Sequence, residues 1–159
     1  MNPTRNDLPA DARKKLVALL QDRLVDALDL YLQVKNSHWN VKGPTFIALH
    51  ELFDKVAGDA LGYGDDLAER AVQLGGTADG SAPSVAQGSS LPRSKRKLEE
   101  ESDHVRAVAD ALAAFGKSVR KAIGTSDDLD DKDTADLFTE ISRGTDKWLW
   151  FVESHLPGK

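Results

Sequence analysis

The segment from residue 38 to residue 69, HWNVKGPTFIALHELFDKVAGDALGYGDDLAE, holds five side chains whose types and spacing suit metal binding: His38, His50, Asp54, Asp65 and Glu69. His50 and Asp54 are four positions apart, as are Asp65 and Glu69, so on a helix each pair shares a face. Imidazole with hard carboxylate oxygens suits Fe(II), Mn(II) or Zn(II), and iron is the redox-active member of that set. The chain has no cysteine, so thiolate ligation and disulfides are both excluded. Asp54 and Asp65 point within about 20° of each other on one helix, but lie ~16.5 Å apart along its axis. One ion therefore cannot use both pairs from one chain. Two copies of the helix running antiparallel about a two-fold axis would set His50 and Asp54 of one against Asp65 and Glu69 of the other. Gly58 and Gly62, between the pairs, each cost a helix about 1 kcal/mol relative to alanine, and would let the second copy come close.

Apolar residues recurring at three- and four-residue steps predict the four helices that must position these groups. The first runs over 11–40, with Leu16, Leu20, Leu24, Leu28, Tyr31 and Val34 on one stripe and His38 near its end. Val41-Lys42-Gly43-Pro44 stops it, and Thr45 starts a second helix over 45–74 with the seam Leu49, Phe53, Val56, Ala60, Tyr63, Leu67, Ala71 and Leu74. The stretch 75–93 is rich in Gly, Ser, Ala and Pro and reads as a long connection with one helical turn near Val85. A third helix is predicted over 94–123, on Leu98, Val105, Val108, Leu112, Phe115, Val119 and Ala122. An acidic turn at 126–131 leads to a fourth over 131–155, with Leu137, Ile141, Trp148, Val152 and Leu156 inward. Two short connections flanking one long one give an all-α, ferritin-like four-helix bundle whose second-to-third link crosses over. Residues 1–10 read as a flexible tail, 11–156 as the bundle and 157–159 as a short end.

At 159 residues and 40% hydrophobic content the chain is one domain with a real core. No apolar run reaches the ~18 to 20 residues of a membrane span, and residues 1–15 lack the apolar core of a secretory signal, so the cytoplasm is the expected location. A net charge of −5 favours cations over nucleic acid as partners.

The run H-W-N-V-K-G-P, followed by H-x-x-x-D and D-x-x-x-E, resembles the signature of the Dps family, the mini-ferritins, and the likeness continues to DKWLWFVESH at 146–155. The resemblance implies a hollow homododecamer around an iron-mineral cavity. It implies a ferroxidase centre in which one subunit supplies His38, His50 and Asp54 and its two-fold mate Asp65 and Glu69. Fe(II) would be oxidised there by hydrogen peroxide in preference to dioxygen and stored as ferric mineral. Zn(II) is an alternative occupant, and metal buffering an alternative role. Trp39 adjoins a ligand and either packs in the core or stacks beside the centre; Trp148 and Trp150 read as packing residues. Acids near the start of the fourth helix line an entry pore in the family, which would fall on Asp131, Asp133 and Asp136 here; a soluble turn and helix start explain the same acids.

Many Dps proteins bind DNA through a lysine-rich N-terminal tail, which would place them at the nucleoid. Before its first helix this chain offers only Arg5, opposed by Asp7, so DNA binding is expected to be weak or absent. Glu101 and His104 match in form the Glu-x-x-His element of classical di-iron bundles, but a single copy argues against a centre within one subunit.

Overall fold

The computed structural model describes residues 1–93 and 97–156. Five helices follow in order: α1 (Ala10–Asn40), α2 (Phe46–Gln73), α3 (Ala82–Gly88), α4 (Glu101–Asp128) and α5 (Lys132–Glu153). α1 packs along α2 and α4 along α5, the two hairpins that short links impose, and α1 against α4 with α2 against α5 closes the bundle. No strand occurs among the described residues. The core is the predicted seam: Leu16, Leu20, Leu24 and Val34 of α1 meet Leu49, Phe53, Val56 and Leu67 of α2, with Val105, Leu112, Phe115 and Val119 of α4.

Each end of the first hairpin has a local cause. Gly43, with φ +152°, turns the chain out of α1 in a conformation that favours glycine. The Glu101 side chain lies against it and accepts a hydrogen bond from the Thr45 amide at 3.0 Å, which ties the start of α2 to α4. Glu101 is thus engaged at a helix end. At the far end Gly75 takes φ +88°, and Gly76 N donates to Ala71 O at 2.8 Å to close α2. The first residues of the chain lie on this corner, where Asn2 N donates to Gly75 O at 2.6 Å.

The long connection carries α3, at the helical turn expected near Val85, and is pinned to α1 by buried charge. Asp26, fully buried, accepts from the Ser90 amide at 2.7 Å and pairs with Arg23 at 2.8 Å. Asp29 accepts from the Ser89 hydroxyl at 2.5 Å.

The third predicted helix is displaced. It begins at Glu101, where Glu100 N donates to Asp103 Oδ2 at 3.2 Å; the expected start at Ser94 and the end at 157–159 lie outside the described residues. It runs to Asp128 rather than stopping at Ile123. Thr125 and Ser126 return their hydroxyls to the Lys121 and Ala122 carbonyls, which lets these loop-forming residues stay helical. Asp130 in the left-handed region (φ 59°) then makes the turn into α5. On α5 the buried stripe includes Phe138, which the apolar spacing does not single out, whereas Leu137 and, beyond the end of the helix, Leu156 are half-buried.

His104 is fully buried in α4, and its Nδ1 has no hydrogen-bond partner among the described residues. Burial pushes its pKa below the usual 6.5, against a smaller opposing pull from Asp103. Above that value the imidazole is neutral in both folded and unfolded chain. As pH falls the unfolded chain takes the proton first, so stability is lost until the native imidazole also protonates. His104→Leu should therefore lose less of its melting temperature than wild type between about pH 7 and about pH 5, read by circular dichroism.

Candidate metal centre

Packing of α1 on α2 near their shared loop sets His38 against His50 and leaves Asp54 beside His38. His38, nearly buried, sends Nδ1 to the His50 backbone carbonyl at 2.7 Å, and His50 Nδ1 reaches the His38 carbonyl at 2.9 Å. A carbonyl can only accept, so Nδ1 carries the hydrogen in both rings and each Nε2 is left with a free lone pair. The rings stack with centroids 3.7 Å apart, and Phe46 covers His50 at 5.1 Å. Both imidazoles are thus fixed in tautomer and orientation by the partners that metal-binding histidines require.

Asp54 is 61% exposed, and its Oδ1 stands 3.9 Å from His38 Nε2. Lys35 of α1 donates to the same oxygen at 2.7 Å. The Lys35 ammonium, by hydrogen bond and by charge, holds the Asp54 carboxyl below its ordinary range against a smaller cost of desolvation. The carboxylate is therefore ionised, with the Lys35 ammonium as its present counter-charge. Lys35 carried no sequence signal, because its contact is made across two helices.

Asp65 and Glu69 lie further along α2, both exposed. Among the described residues, no three histidine or acidic side chains of one chain come close enough to enclose an ion. Between the two ligand pairs α2 presents a bare face: a Cβ on Gly58 or Gly62 would meet nothing within 4 Å. Leu24, Leu28, Leu61 and Ala68 line a shallow apolar groove there, with Asp65 at its edge.

Trp39 is 65% exposed, which rules out core packing within the chain, and its ring lies 5.7 Å from Lys35 Nζ. Trp148 is a packing residue as expected, buried with Nε1 donating to Asp59 Oδ2 at 2.7 Å. Trp150 is not; it is 65% exposed and touches Phe151 edge-on. Near Asp59, burial and then the charges of Asp59, Glu140 and Asp66 push the Tyr63 hydroxyl up to about 12.

The three acids at the start of α5 have separate fates. Asp131 is 3% exposed, caps α5 through the Thr134 amide at 3.1 Å, and takes a two-pronged bond from Arg70 at 2.8 and 3.0 Å. Its carboxylate is engaged in structure. Asp133 and Asp136 are exposed. No helix among the described residues is long and apolar enough to cross a membrane.

The chain matches the ferritin-like domain over residues 17–157. It is 42% identical over 156 residues to a DNA protection during starvation protein of Agrobacterium fabrum, covering 98% of this chain and 96% of that one. Its fold superposes on Mycobacterium smegmatis Dps, tetragonal form, with a TM-score of 0.92 at 29% identity, covering 99% of this chain and 96% of the other. DpsC from Streptomyces coelicolor superposes with a TM-score of 0.91 at 31% identity, covering 100% and 92%. The chain belongs to the Dps family of ferritin-like proteins.

Proposed function

We propose that this protein is a ferroxidase and iron store: a homododecamer whose subunits share metal centres, oxidise Fe(II) with hydrogen peroxide in preference to dioxygen, and hold the ferric product inside. The reciprocal Nδ1 anchoring of His38 and His50, with Asp54 beside His38, carries the reading, because it orients two nitrogen donors next to an oxygen donor. Asp65 and Glu69 of a two-fold mate complete the set. The bare glycine face of α2 between the two pairs gives a mate helix room to approach. The carboxylates favour Fe(III) over Fe(II) by their charge, so binding here draws the ion toward oxidation. Two Fe(II) supply one electron each to a peroxide, which takes up two protons from water and leaves as two water molecules without releasing a hydroxyl radical. Zn(II) uses the same donors without redox chemistry, as a competitor. Asp133 and Asp136 remain the exposed acids for an entry pore.

The test is to load Fe(II) anaerobically, add peroxide or dioxygen, and follow ferric absorbance. Peroxide should give the faster rise; equal rates with both would contradict the oxidant preference, and a rise no faster than without protein would contradict the function. DNA binding should be weak, since the anionic charge is multiplied through the assembly and the start of the chain is poor in cations and held at Gly75. A gel shift at ~50 mM salt should leave duplex DNA free.

A further inference from the structure

Lys35 lies within the candidate centre rather than beside it. One turn before His38 on α1, with a side chain only 16% exposed, it sends Nζ across to α2 and holds Asp54 Oδ1 at 2.7 Å. The same oxygen is 3.9 Å from His38 Nε2, a gap that two metal–ligand bonds of about 2.0 to 2.2 Å can span. An ion bound to Asp54 Oδ1 would lie at most about 4.8 Å from the ammonium in its observed place. Two positive centres so close at a partly desolvated site repel strongly. Ion and ammonium therefore compete for one oxygen.

We infer that Lys35 is a built-in counter-cation of the centre, a positioning residue whose ammonium holds Asp54 until a divalent ion displaces it, and which takes the carboxylate back when the ion leaves. This rests on the metal-centre reading above. The exchange discriminates by charge: a monovalent ion replacing the ammonium gains nothing in Coulomb energy, whereas a divalent ion gains the attraction of a second charge. It also lowers the cost of emptying the site, because Asp54 is never left without a cation beside it. The displaced side chain has somewhere to go. Lysine carries its charge on a flexible four-carbon stem, and the exposed Trp39 ring, already 5.7 Å from Nζ, offers the ammonium an aromatic face.

Zn(II) titrated calorimetrically into the assembled protein, cleared of metal by chelation, tests this without any redox step. Lys35→Met should bind Zn(II) about tenfold more tightly than wild type, while Lys35→Arg, which keeps the charge, should stay near wild type. Asp54→Ala should weaken binding in every background. Should Lys35→Met fail to assemble, Lys35→Gln removes the same charge and is read in its place. Unchanged or weaker Zn(II) affinity in the charge-removing variant, with wild-type binding still sensitive to Asp54→Ala, would overturn the role of Lys35 and leave the centre standing. Wild-type binding indifferent to Asp54→Ala would overturn the centre, and Lys35's role with it.

Discussion

Replacing His50 and Asp54 together with alanine is expected to slow Fe(II) oxidation more than about 100-fold while leaving the bundle folded, since losing even the outer partners of metal ligands commonly costs 10- to 100-fold. The chemistry falls because an anchored imidazole and the ionised carboxylate are both removed. His38 also loses its stacked neighbour, although the backbone carbonyl that holds its Nδ1 remains. The fold should survive because Asp54 is largely exposed and His50 is only half-buried, so neither deletion opens a core cavity. Stopped-flow ferric absorbance gives the rate and circular dichroism the fold. A rate near wild type would move the chemistry away from these residues.

The largest effect on stability is expected at Arg70. Its guanidinium grips both Asp131 oxygens and donates through Nε to the Thr134 hydroxyl at 2.9 Å, tying the end of α2 to the start of α5. Arg70→Ala leaves the Asp131 charge buried without its counter-ion, an arrangement that costs about 3 kcal/mol, or about 10 °C in melting temperature for a subunit of this size. Arg70→Ala with Asp131→Ala should recover part of that loss, because no buried charge is stranded. Burial pushes the Asp131 carboxyl up, but the bonds from Thr134 and Arg70 together outweigh it and hold it below the ordinary 3.8. Its contribution is thus complete above 3.8 and disappears as pH falls through the lower native value. Thermal melts at neutral pH check the first effect and acid titration the second.

What the sequence made legible follows the same physics. The α2 seam from Leu49 to Leu74 could be read because a helix that buries one face repeats its apolar residues at a fixed period, and the i, i+4 ligand pairs share that period. Asp26 could not. It looks like the exposed Asp22 four residues earlier, and what buries it is Ser90, 64 residues away. Lys35 is hidden for the same reason, since its contact with Asp54 spans two helices. Asp131 reads as one acid among several in a turn until Arg70 is placed beside it. The end of α4 is hidden because Gly124, Thr125 and Ser126 have the composition of a loop, yet the Thr125 and Ser126 hydroxyls are satisfied within the helix. Trp150 reads as a packing residue because tryptophan usually packs, and Trp39 reads equally as core or as a neighbour of the centre; in a single subunit both are among the large apolar side chains left exposed.

That the metal centre is shared between two subunits is tested most directly by mixing two inactive variants, His50→Ala/Asp54→Ala and Asp65→Ala/Glu69→Ala, unfolded and reassembled together. With ligands drawn from both copies, random pairing leaves about a quarter of the centres intact, each built from the undamaged half of either chain. Fe(II) oxidation should then return to about a quarter of the wild-type rate, against almost none for either variant reassembled alone. A mixture as inactive as its components would contradict the shared centre, because ligands drawn from one subunit leave every site in the mixture damaged.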